Sequence, residues 1–73
     1  MDNNTFGDRL YFRRVQLGMK RQHELAAIVG VRAQTISYYE SNERRPSFEM
    51  LSALADALDC SVDYLMCRVD TPN

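Results

Sequence analysis

The side chains with chemistry to offer gather between Lys20 and Arg45. Ala33, Gln34, Ser37 and Tyr38 share one face of a short helical segment and give it a carboxamide and two hydroxyls, with no acid among them. A carboxamide donates and accepts at once, so it can pair twice with a flat base edge that presents both kinds of group. Such a face suits base edges. Nothing in the chain supplies a reaction: no close carboxylate pair, glycine-rich phosphate loop or nucleophile motif is legible, so no enzyme activity and no cofactor are expected. Cys60 and Cys67 lie seven apart, without a second cysteine pair or clustered histidine to make a zinc site. They read as reduced thiols of a cytoplasmic protein, and His23, the one histidine, reads as a helix surface residue.

Charge supports a polyanion partner only when it is resolved along the chain. The net charge is −1 over 73 residues, whereas phosphate binding needs a basic surface. Between residues 8 and 45, however, Arg9, Arg13, Arg14, Lys20, Arg21, Arg32, Arg44 and Arg45 face only Asp8, Glu24, Glu40 and Glu43. Beyond residue 45 the balance reverses, with Arg68 against Glu49, Asp56, Asp59, Asp63 and Asp70. One basic face and one acidic end are therefore expected.

The elements that must carry these residues are all helical. Thr5 with Asp8 marks an N-cap and acidic first turn for a helix over about 6–17, striped by Phe6, Leu10 and Leu17 and ended by Gly18 as a left-handed residue. A second helix, about 22–29, buries Leu25, Ala26 and Val29 and stops at Gly30. The third starts at Arg32 or Ala33 and runs to about Ser41, with Ile36 and Tyr39 inward. Ser47 caps a fourth helix striped by Phe48, Leu51, Leu54, Ala55 and Leu58, and Ser61 caps a short fifth carrying Val62, Leu65 and Met66. The chain reads as one all-α domain of five short helices, ordered over about 5–69, with Met1–Asn4 and Asp70–Asn73 expected to fray. No stretch is apolar enough to span a bilayer, and no signal peptide is legible at the start.

Residues 22–41 have the small, apolar and polar positions that two short helices crossing steeply require, with Gly30 in the tight turn. On the segments FGDRLYFRR, RQHELAAIVGV, QTISYYE, ERRPS and LSALADALDCSVDYLM, the chain resembles the Cro and cI-like helix-turn-helix domains of phage repressors and bacterial regulators. That resemblance implies a five-helix lambda-repressor-like fold with the helix-turn-helix at helices two and three. It implies that Gln22 contacts a phosphate and braces a reader on the next helix, that Gln34 reads a base, and that Arg32, Ala33, Ser37 and Tyr38 fill the other exposed positions of the recognition helix. Glu40 matches an acid that pairs with an arginine of the first helix, here Arg13 or Arg14.

Lys20, Arg21 and Arg32 stand where the family often has capping Ser or Thr, which exchanges about 1 kcal/mol of capping at each helix start for added charge at phosphates. Arg44 and Arg45, in the loop after the recognition helix, together with Asn42, complete the expected phosphate contacts. The expected partner is double-stranded operator DNA, with no membrane or small-molecule substrate. Because one short recognition helix reads few base pairs, a two-fold homodimer is expected, weak when free and paired through Val62, Tyr64, Met66 and Val69. A repressor of phage or prophage type is the leading reading. An antitoxin, a restriction-system controller and a helical protein-interaction module remain alternatives.

Overall fold

The computed structural model describes residues 4–73; the expected fraying of Met1–Asn4 falls, except for Asn4, outside the described residues. Five helices follow in order, α1 Phe6–Gln16, α2 Gln22–Val29, α3 Ala33–Glu40, α4 Phe48–Ala57 and α5 Val62–Leu65, with no strand among the described residues.

Local chemistry explains most of these limits. Thr5, Ser47 and Ser61 each accept a backbone N–H three residues on, from Asp8, Met50 and Tyr64 respectively, and so satisfy donors that a helix start leaves open. Gly30 ends α2 at φ 78°, returning its N–H to the Ala26 carbonyl at 2.9 Å. A side chain there would be strained in the left-handed region. Arg21 and Arg32 occupy the caps of α2 and α3 without any side-chain bond.

Around these turns the apolar positions converge on one core. Leu10, Leu25, Ile36, Leu54, Leu58 and Leu65 are fully buried, with Ala26, Tyr39, Leu51, Ala55 and Tyr64 close behind. Helix α3 packs against α1 and α2, α4 covers α2, and α5 closes the gap between α1 and α4. At the α1–α3 contact the backbones nearly touch: a Cβ on Gly7 would lie 2.3 Å from the Glu40 carbonyl oxygen. Only glycine permits that approach.

Three residues depart from their expected burial. Phe48 is 73% exposed and Leu17 42% exposed, because the first residue of α4 and the C-cap of α1 project past the ends of the layer they belong to. The third concerns Tyr64, expected on a pairing surface but only 5% exposed. Its ring is covered by the Arg9 guanidinium, 4.6 Å from the ring centroid.

The tail also departs from expectation. The Pro72 carbonyl accepts the Ser61 N–H at 2.8 Å, and Asp70 lies 3.6 Å from Arg9. Segment 69–72 is therefore tied back onto α1 and α5. No helix among the described residues is long and apolar enough to cross a membrane.

Candidate nucleic-acid interface

The geometry of α3 follows from how α2 and α3 meet. Ala26 is small enough to be buried at their contact, and Ile36 and Tyr39 point inward from the other side. Burying that pair turns Ala33, Gln34 and Ser37 outward by helical periodicity. Gln34 is exposed, while Ala33, Ser37 and Tyr38 are half-buried. Arg32 precedes them, exposed, at the N-cap.

Beneath this face sits a buried polar knot. Arg14 donates from Nε to Glu40 Oε2 at 2.7 Å and from Nη1 to the Met19 carbonyl at 2.7 Å. Gln22 Nε2 donates to Glu40 Oε1 at 2.9 Å. One carboxylate at the end of α3 thus holds α1 and the start of α2, with both charged side chains under a tenth exposed. Of the two arginines open to Glu40, Arg14 is the partner. Gln22 braces α3 at Glu40 rather than at Gln34, with one N–H of its amide committed inward.

The basic residues divide into two sets. Arg9 is buried, donating to the carbonyls of Tyr64, at 2.9 Å, and Val69. Arg13 donates from Nε to the Leu58 carbonyl at 2.8 Å and from Nη2 to that of Asp59 at 2.9 Å, supplying donors to the C-terminal carbonyls of α4, where a cation is favoured. With Arg14 in the knot, these three belong to the fold. Lys20, Arg21, Arg32, Arg44 and Arg45 are all exposed. Asn42 is tied to the start of α1: its Oδ1 accepts the Gly7 N–H at 2.9 Å and its Nδ2 donates to Thr5 Oγ1 at 3.0 Å. Its side chain caps the start of α1 from α3's end, while the residue itself stays exposed. The residue adopts φ 64°, a conformation asparagine tolerates better than most.

Among the expected pairing residues, Met66 and Val69 are 48% and 41% exposed, Val62 is half-buried against the core, and Tyr64 is withdrawn. Missed from the sequence was Phe48, which with Met66, Leu51, Pro46 and Phe6 lines an open groove of about 630 Å³. Neither thiol is paired; burial pushes that of Cys60 above its ordinary range, partly offset by Arg13. No group of metal-binding side chains is found among the described residues.

Comparison with known proteins agrees with this architecture. The helix-turn-helix family pattern matches residues 10–65. Over 66 residues the chain is 42% identical to Repressor protein C2 of Salmonella phage P22, covering 90% of this chain and 30% of the repressor. It is 44% identical over 43 residues to the HTH-type transcriptional regulator AnsR of Bacillus subtilis (strain 168), covering 59% of this chain and 37% of that regulator. The chain therefore spans about a third of the length of these two regulators. Among solved structures, the P22 c2 repressor in complex with synthetic operator 9T superposes with a TM-score of 0.84 at 41% identity, covering 90% of this chain and 98% of that one. The restriction-modification controller protein C.AhdI from Aeromonas hydrophila superposes with a TM-score of 0.76 at 31% identity, covering 84% and 87%. From the α2–turn–α3 geometry and these likenesses, the chain belongs to the helix-turn-helix family of Cro/cI type.

Proposed function

We propose that the chain is a sequence-specific DNA-binding transcription regulator of the cytoplasm, a repressor that lays α3 in the major groove of an inverted-repeat operator. The observation that carries this reading is the outward face of α3, acid-free and flanked by exposed Lys20, Arg21, Arg32, Arg44 and Arg45, with no side-chain hydrogen bond or ion pair from these cations among the described residues. Arg32, Ala33, Gln34 and Ser37 meet base edges, with Gln34 the discriminating residue. The uncapped start of α2 leaves N–H donors for a phosphate beside Arg21. The likeness to a repressor solved with its operator supports the same docking.

Binding is two-fold, because an eight-residue α3 spans too few base pairs for a genomic site. Phe48, Met66 and Val69 are exposed apolar residues of the C-terminal half that can serve a second copy once Tyr64 is assigned to the core. The contact is small, so the free dimer is weak and DNA strengthens it. Likeness to C.AhdI favours one alternative, control of a restriction system with the same DNA-binding domain.

Duplexes selected from a randomised library by the protein test the reading. Gln34→Ala should relax preference at one position per half-site and cost about 1–3 kcal/mol there. Arg45→Ala should weaken selected and random duplexes alike and reduce the slope of log affinity against log salt by about one unit. Equal behaviour of the two variants would overturn the division. Sedimentation of complexes on a palindromic duplex should give two copies per site, and Phe48→Glu should reduce that to one.

A further inference from the structure

One aromatic residue of α3 is placed differently from its neighbours. Tyr38 is half-buried, and the Arg44 guanidinium lies 4.2 Å from the centroid of its ring. That contact is built by the loop rather than by chance meeting of two long side chains. The Ser41 N–H donates to the Ser37 carbonyl at 3.0 Å, and the N–H groups of Glu43 and Arg44 both donate to the Tyr38 carbonyl, at 2.9 and 3.3 Å. The chain is thereby wound back over the last turn of α3. Helix α3 has no basic residue of its own in that turn, so the returning Arg44 meets the negative end of the helix dipole as well as the ring face.

The acid of the loop is held away. The Ser41 hydroxyl donates to the Glu43 carboxylate at 2.7 Å, and among the described residues Arg44 makes no ion pair or hydrogen bond through its side chain. A guanidinium stacked on a ring keeps its donors in the plane of the group, directed outward, while the ring restricts its rotation. Arg45, the next residue, is also exposed and has no aromatic platform among the described residues. The two adjacent arginines therefore differ in preorganisation.

We infer that Tyr38 is a positioning residue and not a base reader: its ring holds the Arg44 guanidinium in place for a phosphate oxygen of the bound duplex. The inference rests on the DNA-binding reading above, and it moves Tyr38 out of the set that discriminates bases. What the ring contributes is a flat π face, so the phenolic hydroxyl is dispensable and Phe should serve as well.

The test uses the full chain, a duplex selected from a randomised library by the unmodified protein, and a random-sequence duplex, each titrated at several salt concentrations. Tyr38→Ala should weaken both duplexes by the same factor, about two- to fivefold, and Tyr38→Phe should restore the loss. Arg44→Ala should reduce the salt slope by about one unit. In the Arg44→Ala background, Tyr38→Ala should add nothing, whereas in the Arg45→Ala background it should keep its full effect. Losses that multiply in the Tyr38/Arg44 double variant overturn the inference. So does a changed base preference in Tyr38→Ala that Arg44→Ala lacks, or failure of Tyr38→Phe to rescue. Failure of the unmodified protein to select any duplex is a different result, overturning the DNA-binding reading and with it the inference.

Discussion

Arg14 and Arg45 are the same side chain in opposite employment. Arg14 is 3% exposed, closes on Glu40 and Met19, and fixes the angle at which α2 and α3 leave α1. Arg45 is exposed, without an acceptor among the described residues, in the loop after α3. The difference shows why composition misleads in a small domain: of the eight basic residues between 8 and 45, three arginines are taken by the fold and five are left for DNA. A charge acts on a ligand only when no internal carbonyl or carboxylate has claimed it.

Removing one member of the buried knot should have the largest effect. Glu40→Ala leaves the Arg14 guanidinium buried without its carboxylate, a loss of about 3–5 kcal/mol. For a domain of this size each kcal/mol lowers Tm by roughly 4–8 °C, so thermal unfolding followed by circular dichroism should show a drop of more than ten degrees or so. Combining Arg14→Met with Glu40→Leu should recover much of it, since an apolar pair of similar volume needs no counter-charge. A double variant as unstable as the single one would mean that the carboxylate acts through Gln22 instead.

A smaller loss is expected from Gly7→Ala. The new Cβ meets backbone carbonyl oxygens of Glu40 and Tyr39 at 2.3 and 2.8 Å, so one helix must move, costing about 1–3 kcal/mol in urea denaturation. Because the displaced atoms belong to Glu40's own backbone, this change and Glu40→Ala should not be additive.

The outer set should show the reverse pattern. Arg32→Ala should change stability by no more than about 0.5 kcal/mol, yet lower the salt slope of DNA binding by about one unit. An Arg32 variant that melts like the Glu40 one would erase the distinction between inner and outer arginines.

Much of the fold was legible because its signals are local. The caps at Thr5, Ser47 and Ser61, the stop at Gly30 and the inward placement of Ile36 and Tyr39 each depend on residues within one turn. The outward position of Gln34 follows from the same periodicity. What escaped was decided between distant elements. Arg9 and Arg13 stand one turn apart on α1, but only the arrival of α4, α5 and the tail supplies the carbonyls that draw them in. Tyr64 looked like spare apolar surface because the guanidinium that covers it comes from the other end of the chain. The bonds of Asn42 escaped as well, since nothing near it in sequence announces that Gly7 and Thr5 are its partners. Phe48 fell on the right period at the wrong place, one residue past the cap, where a helix projects beyond the layer it covers.

The reach of Arg9 sets an order of events during synthesis. Its guanidinium is received by Tyr64, Val69 and Asp70, so α1 carries a charge whose acceptors Tyr64 and Val69 are made 55 and 60 residues later. Until about residue 70 has emerged, α1 can pack its leucine but cannot bring that arginine to its final acceptors. The nascent domain should therefore complete its fold in a single late step, and a chain halted after α4 should stay open to proteases at α1.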